Sequence, residues 1–469
     1  MVCGRSALLL LFISLSAGGS LSVSGCRREP GSSGTASRTG GASAAESAPA
    51  LFGSAAIPPS SGVVAQESGE AAARPLRRCF SEQPTWADAP VSELLDRAGN
   101  LFDGDDFAGA LACAEEAARA APRSVEAHHD RAAALLHLGR LDEARDALAL
   151  AMALDPDDAE TLEASADLYI NQLPPTADRS AIGLEQARRG FRRAGHDRAR
   201  AARLALLEGQ ALLDLGHAEQ AARRLDVTLA LAPRSTAARY EKGVAQFELC
   251  RFAEARRTFQ KVLETSADHA HALYHLGLIA EREGNMTAAE KHFAAASQHD
   301  PASFPPPPAV TATQFATRVD QVVAGLPQDI REDLTQSHLQ TADLPAADDL
   351  VAEKPPLSPT ILGLFRGLPL SWSGDAERRA QAGRATKGHR ASVGSGPLGM
   401  AGPATDGGGD VGSVSCATPE RTIVLYRRNL LRSVRDVAEL DEAIKRTLLH
   451  EVGHLRGEDD GSLRDRGLE

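Results

Sequence analysis

The chain has 469 residues and a formal net charge of −12, which allows two or three domains and argues against a general role in binding nucleic acid. Aromatic residues make up only 4% of it, as expected of helices rich in Ala and Leu. The sequence contains no cysteine pair at zinc-binding spacing, no glycine-rich phosphate loop and no G-x-S-x-G motif, so those classes of site are excluded.

The first 25 residues have the pattern of a secretory signal peptide. Arg5 supplies the positive charge, and residues 7–15 form an apolar core that is too short for a comfortable transmembrane helix. Small residues precede Cys26, and this stretch resembles a bacterial lipobox. The resemblance implies that Cys26 is the lipidated first residue of the mature protein; the alternative is an ordinary signal peptide that is cut elsewhere. Because Arg27 follows the cysteine, we expect a lipid-anchored protein of the cell envelope, in the outer membrane and facing the periplasm.

Residues 26–85 are rich in Gly, Ser, Ala and Pro and contain few large apolar side chains. Such a segment buries too little surface to offset the entropy of ordering it. We therefore predict a disordered tether that holds the rest of the protein away from its membrane.

Residues 86–302 repeat with a period of 34 residues. Small residues keep one register along this region: Gly209, Gly243 and Gly277, with Ala221, Ala255 and Ala289 twelve positions after each. This period, with small residues where paired helices approach and Pro between units, resembles that of tetratricopeptide repeats. Five clear units begin near Val91, Val125, Ala202, Thr236 and Ala270. A further unit, at about 159–198, carries an insertion that we place at residues 171–176.

The repeat resemblance implies a right-handed α-solenoid whose concave face binds an extended peptide or a partner protein. The alternative is that the array only separates the C-terminal domain from the tether. A proline-rich connector at residues 301–309 follows the repeats and leads into a domain at residues 310–469.

The C-terminal domain reads as a small α+β fold. Residues 314–327 are predicted to form an amphipathic helix that ends at a proline, and residues 361–365 and 422–426 are predicted to form strands. Residues 373–417 are rich in Gly, Ala and Ser, and we predict a disordered insertion there. His389 lies inside this insertion and is not expected to bind a metal.

The motif H-E-x-x-H occupies His450 to His454, within an apolar stripe at helical spacing. On a helix the two histidines lie one turn apart, so both imidazoles reach one Zn²⁺, while Glu451 reaches a water on that ion. Gly457 ends the helix and turns the chain back, which allows an acidic residue to become the third ligand. Asp459, Glu458, Asp465 and Asp460 are all near enough, so the motif alone leaves that choice open.

The longer pattern H-E-x-x-H-x-x-G-x-x-D resembles that of the small bacterial zincin-like metallopeptidases, as do residues 315–327, 362–367, 421–430 and 462–468. The resemblance implies that His450, His454 and Asp460 bind the metal and that Glu451 is the general base. For Tyr426, a place in the core is favoured over a role as a hydrogen-bond donor to the oxyanion. Arg456 departs from the apolar pair common in the family and is expected to place a charge beside the cleft.

The expected fold is therefore mostly α: a tetratricopeptide-repeat solenoid followed by a small α+β zincin-like domain. The expected function is zinc-dependent peptide hydrolysis. The repeats are expected to recruit a protein or peptide substrate or a protein partner. Binding of nucleic acid is not expected. The alternatives are a repeat scaffold with a degenerate or structural zinc domain, and an assembly factor for envelope proteins.

Four cysteines remain after the signal segment and the proposed lipid site. Cys113 and Cys250 lie in repeat helices and are expected to pack as small apolar residues. A bridge between Cys79 and Cys416 is conceivable, but the sequence does not support it.

Overall fold

The computed structural model describes Cys79, residues 90–371 and residues 420–468. Contacts divide the chain into two compact units, the first ending at Glu241 and the second beginning at Lys242. The predicted signal peptide at residues 1–25, the lipid site Cys26, nearly all of the tether and the insertion at residues 373–417 lie outside the described residues. Within the described part, no helix has the length and apolar character that crossing a membrane requires.

The first unit consists of antiparallel helix pairs. Its helices are α1 Val91–Asp103, α2 Phe107–Ala120, α3 Val125–His137, α4 Leu141–Leu154, α5 Ala159–Asp167, α6 Ala177–Arg193, α7 Arg198–Asp214 and α8 Ala218–Leu231. Helix α9, Thr236–Glu248, follows and contains the division between the units. Glycine permits close approach within a pair: a Cβ atom added at Gly209 would lie 2.7 Å from Leu225 Cδ2. The recurring small residue therefore marks helix contact.

The extra residues of the third pair are spread over several elements. Helix α5 continues into a π-helical turn at Leu168–Gln172, and a short loop precedes α6. Helix α6 has 17 residues, as does α7 of the next pair, whereas the helices of the first two pairs have 13 or 14. The predicted insertion at residues 171–176 thus contains only part of the added length.

A disulfide joins Cys79 to Cys113, which corrects the expectation that Cys113 only packs as a small apolar residue. Cys79 lies within the range predicted as tether, yet it is 5% exposed and packs with α1 and α2. The two Cα atoms are 4.4 Å apart, a distance that sequence spacing does not reveal. Cys250 is a free thiol among the described residues.

The second unit begins with the last two repeats and continues into the C-terminal domain. After α9 it contains α10 Phe252–Leu263, α11 Ala270–Arg282, α12 Met286–His299, α13 Ala312–Ala324, α14 Gln328–Leu334, β1 His338–Ala342, α15 Ala347–Ala352, β2 Gly363–Arg366, β3 Thr422–Tyr426, α16 Arg427–Arg432, α17 Val437–Arg456 and α18 Asp460–Asp465. The predicted fold class, helical repeats followed by a small α+β domain, is confirmed.

The three strands form one sheet in the order β1-β3-β2. Strand β3 pairs parallel with β1 and antiparallel with β2, so β2 lies at an edge. Alternate β3 residues face opposite sides of the sheet. Ile423 and Leu425 join the main core with α13, α14 and α17, whereas Val424 and Tyr426 join a second cluster.

Helix α17 lies on the main core and presents the metal-binding motif. Asp436 caps its first turn by accepting hydrogen bonds from the N–H groups of Ala438 and Glu439, at 2.8 and 3.0 Å. The stripe predicted from the sequence is buried: Leu440, Ala443, Ile444 and Leu448 are at most 5% exposed. This packing fixes the rotation of the helix, and with it the direction of the side chains on its other face.

Candidate metal centre

Helix α17 brings His450 and His454 onto the same face, one turn apart. Their Nε2 atoms are 3.1 Å from each other, and the side chains are 8% and 19% exposed. The Nδ1 atom of His450 donates to the Leu468 carbonyl at 2.8 Å, and that of His454 donates to the Glu458 carbonyl at 3.1 Å. A carbonyl can only accept, so each Nδ1 carries the proton, and in the neutral ring Nε2 keeps a lone pair for a metal.

The turn after α17 brings Asp460 back to the histidines. Gly457 adopts φ +97°, and the N–H of Glu458 bonds to the Gly453 carbonyl at 2.9 Å. Asp460 Oδ1 then lies 3.3 Å from His454 Nε2 and 3.9 Å from His450 Nε2. Among the described residues, these three side chains form a group whose donor atoms all lie within 4.8 Å of one another.

The neighbouring acidic residues are engaged elsewhere. Asp459 caps α18 by accepting from the N–H and hydroxyl of Ser462, both at 2.8 Å, and these bonds lower its pKa. Glu458 forms an ion pair with Arg466 at 2.5 Å. The geometry therefore groups Asp460, and not these neighbours, with the histidines.

The donor set fits zinc. Two imidazole nitrogens and one carboxylate oxygen leave a fourth position for water, as in catalytic zinc sites. Ligand atoms around a tetrahedral ion with bonds of about 2.0–2.1 Å are about 3.3 Å apart, and the separations here are 3.1, 3.3 and 3.9 Å. His450, His454 and Asp460 would thus hold the ion with little rearrangement.

Glu451 lies beside this group and is buried, with 3% exposure. Burial raises its pKa to about 7, although the positive charge of His454 and a hydrogen bond from the Phe365 N–H act to lower it. Strand β2 closely approaches the same carboxylate: a Cβ atom at Gly363 would lie 2.8 Å from Glu451 Oε1 and 2.7 Å from Thr447 Cγ2. Glycine is therefore required where the strand crosses the helix.

The charge of His454 depends on this same group of side chains. Burial by itself lowers the pKa of His454, but the hydrogen bond to Asp460 and the negative charge of Glu451 raise it above its usual value. Protonation of His454 competes with metal binding, because the metal needs the neutral imidazole.

Tyr426 and Arg456 lie outside the group. Tyr426 is 1% exposed within the second cluster of the sheet, so it is a core residue and not an oxyanion donor. Arg456 pairs with Asp333 at 2.5 Å and Asp329 at 3.0 Å on α14, which corrects the expectation of a charge beside the cleft. This pairing attaches α14 to the end of α17.

Two supporting contacts were missed from the sequence. A Cβ atom at Gly453 would lie only 2.3 Å from Leu463 Cδ2, so α18 packs closely against α17 because that position has no side chain. The Leu468 carbonyl orients His450 from near the end of the described chain. The glycine inside H-E-V-G-H was a visible signal for the first contact, whereas a backbone partner leaves no sequence signal.

Residues 405–468 match the zincin-like metallopeptidase family, and residues 95–159, 206–266 and 246–303 match a tetratricopeptide-repeat family. The chain contains a zincin-like metallopeptidase domain preceded by tetratricopeptide repeats. The match to the zincin-like family includes the donor group and the helix that carries it. No relative among curated proteins matches the chain.

Three solved structures are similar in fold to part of this chain. PilW, a widely conserved type IV pilus biogenesis factor, is 20% identical with a TM-score of 0.40, covering 48% of this chain and 97% of its own. PilF of Pseudomonas aeruginosa is 15% identical with a TM-score of 0.39, covering 46% and 94%. YrrB, a TPR protein with an unusual peptide-binding site, is 19% identical with a TM-score of 0.33, covering 40% and 93%.

Proposed function

We propose that this protein is a zinc metallopeptidase that hydrolyses peptide bonds. The observation that carries the proposal is the convergence of His450 Nε2, His454 Nε2 and Asp460 Oδ1, with both Nδ1 atoms held by backbone carbonyls. A repeat scaffold has no physical need for a zinc-binding donor set with a buried carboxylate beside it. The match of this region to the zincin-like family supports the same reaction.

Glu451 acts as the general base. Zinc held by His450, His454 and Asp460 would acidify a water and would stabilise the negative charge that forms on the carbonyl oxygen when the water attacks the carbonyl carbon. Glu451 removes the proton of that water and then passes it to the leaving amine, so one carboxyl group serves both steps. Burial, which raises the pKa of Glu451 to about 7, suits a group that must both accept and return a proton near neutral pH.

Strand β2 is the part of the domain that can align a peptide. Leu362, directly before β2, accepts from the Tyr426 N–H at 2.8 Å, so the N–H and carbonyl groups of Gly363 and Phe365 face away from β3. An extended substrate can add to an outer strand of this kind through main-chain hydrogen bonds. The glycine at position 363 keeps this edge close to Glu451.

The proposed setting is the cell envelope, where a lipid on Cys26 anchors the chain and the repeats recruit a protein substrate or partner. The signal-like first 25 residues support this, and so does the disulfide between Cys79 and Cys113, because stable disulfides are typical of oxidising compartments. The match of residues 95–303 to tetratricopeptide repeats supports the recruiting role.

The test is zinc content together with cleavage, measured on the form lacking residues 1–26. We expect about one zinc per chain, lost in His450→Ala and retained in Glu451→Gln. Cleavage of an unfolded peptide mixture, read by mass spectrometry, is expected from the unmodified protein and absent in Glu451→Gln. Absence of zinc from the unmodified protein after reconstitution would refute the proposal, and zinc without cleavage would favour the scaffold alternative.

A further inference from the structure

The residues that lead into strand β2 are held by the last two repeats. This connecting segment, residues 355–361, runs from α15 to β2. The Cys250 thiol, in the turn after α9, donates to the Leu357 carbonyl at 3.8 Å. The repeats therefore contact the chain only a few residues before the strand that borders the metal centre.

Arg282, the last residue of α11, contacts both the connecting segment, at Pro359, and the loop between β1 and α15, at Pro345. Its guanidinium donates to the Pro345 carbonyl at 2.8 Å and to the Pro359 carbonyl at 3.4 Å. Asn429 on α16 donates to the carbonyls of Pro359 at 3.2 Å and Ile361 at 2.8 Å. The segment thus accepts hydrogen bonds both from a repeat, through Arg282, and from α16 of the zincin-like domain, through Asn429.

Cys250 and Asp105 both have a positive φ at a position where three other repeat turns have glycine. The turn between paired helices has a glycine with positive φ at Gly139, Gly216 and Gly284, with values of +71°, +71° and +76°. Cys250 occupies the corresponding position at φ +56°, which an ordinary side chain adopts only at a cost. The Cys250 side chain, which a glycine would lack, is the group that contacts the connecting segment.

The same turn covers one face of the sheet. Cys250 and Phe252 pack against the cluster formed by Leu350, Ile361, Val424 and Tyr426. Ile361 belongs to the connecting segment, so this cluster joins the segment, strand β3 and the repeats. The zincin-like domain consequently relies on side chains of the repeats to bury that face.

Strand β3 is attached to the repeats as well. Glu281, with a side chain that is 3% exposed, pairs with Arg428 at 2.6 Å and Arg432 at 2.5 Å on α16, which directly follows β3. Both strands that form the edge beside Glu451 are therefore held through α11.

We propose that the last two repeats position the catalytic base, with Arg282 as the principal positioning residue. Arg282 and Cys250 bind residues 355–361, this segment leads directly into β2, and β2 approaches Glu451 closely at Gly363. The role in catalysis rests on the proposed peptidase function. The mechanical link does not, because it is made by contacts that require no metal.

The experiment compares Arg282→Gln with Arg256→Gln, using hydrogen exchange of the form lacking residues 1–26. Arg256 is a matched control because its ion pair to Glu283 lies between repeat helices. We expect exchange at residues 363–366 to rise about tenfold in Arg282→Gln, as the loss of a charged hydrogen bond allows, and to stay unchanged in Arg256→Gln. Arg282→Lys keeps the charge but lacks the planar guanidinium that donates to two carbonyls at once. It should recover part of the protection.

Cys250→Gly is the second variant, because it gives the turn the residue that three other repeat turns have. The repeat should stay folded, and exchange at residues 363–366 should still rise as the thiol and its packing are lost. Unchanged exchange in both Arg282→Gln and Cys250→Gly would overturn the proposal. Failure of the peptidase function is recorded separately, as absence of zinc or of cleavage in the unmodified protein.

Discussion

At the scale of residues, the metal centre depends on which acidic side chain follows the turn. Asp459 and Asp460 are adjacent and chemically identical, yet one caps α18 and the other faces the histidines. The left-handed conformation of Gly457 sets this choice, because it fixes the direction in which the chain enters α18. The family resemblance predicted Asp460 from spacing, and the backbone supplies the reason.

We predict that Asp460→Asn lowers zinc affinity by at least about 100-fold, because it removes a charged donor from the group. Asp459→Asn is the matched control: asparagine caps a helix as well as aspartate does, so zinc affinity should remain within about twofold of the unmodified protein. Competition against a chromophoric chelator measures both. Equal losses in the two variants would contradict the assignment and show that the turn as a whole matters.

At the scale of elements, the site requires α18 to pack directly on α17. Gly453 allows that contact, and Leu463, which lies against it, is fully buried. Asp460 is the first residue of α18, so any movement of this helix moves a proposed ligand. The glycine within the motif thus allows α18 to lie where Asp460 approaches the histidines.

We predict that Gly453→Ala weakens zinc binding and destabilises the second unit by about 1–3 kcal/mol, the usual cost of overpacking. The added methyl group forces Leu463 and α18 away from α17. Gly461→Ala is the control within α18, because its Cβ would meet only Asp459 Oδ1, at an ordinary 3.4 Å. Thermal unfolding and zinc titration check both variants. Unchanged zinc affinity in Gly453→Ala would show that α18 shifts without taking Asp460 away.

The elements predicted from sequence are those with strong periodicity. The apolar stripe of α17 and the continuous apolar run of β3 identify both elements, and α13 begins at a Thr311–Gln314 capping box close to its predicted start. Strand β1 was missed because its side chains are mostly exposed and polar, which leaves no alternating pattern. Its pairing with β3 is a long-range effect, set by the sheet and not by local sequence.

At the scale of the whole molecule, the first unit is closed at its start by a covalent link. Cys79 and Cys113 are 34 residues apart, which is one repeat period, yet this spacing does not reveal the pair because periodicity does not give distances. A disulfide that closes a loop of this length stabilises by about 3–4 kcal/mol in the chain-entropy account.

We therefore predict that a reducing agent lowers the Tm of the first unit by several degrees, since about 1 kcal/mol shifts Tm by roughly 2–4 °C at this size. Cys113→Ala should have the lower Tm already and should not respond to the reductant. Calorimetry of the form lacking residues 1–26 measures both. An equal response of Cys113→Ala and the unmodified protein would mean that the reductant acts elsewhere.

The first unit also contains half-buried carboxyl groups that are protonated more easily than usual. Burial raises the pKa of Asp214 to about 6, against the effect of a hydrogen bond from Ser180. Burial raises the pKa of Glu241 to about 7; the hydrogen bond from Gln210 lowers it and the charge of Asp214 raises it further. Burial and the charges of neighbouring glutamates likewise raise the pKa of Asp130 to about 7.

These pKa shifts determine whether the stability of the first unit rises or falls with pH. In the unfolded chain such groups titrate near pH 4, so between about pH 4 and pH 7 the folded unit binds more protons than the unfolded chain. Stability therefore falls as pH rises through that window, and we predict a Tm of the first unit that is several degrees higher at pH 5 than at pH 8. Glu241→Gln should reduce this difference, because the amide still accepts the bond from Gln210 but does not ionise. A Tm that rises from pH 5 to pH 8, with the same slope in Glu241→Gln, would show that surface ion pairs outweigh the half-buried carboxyl groups.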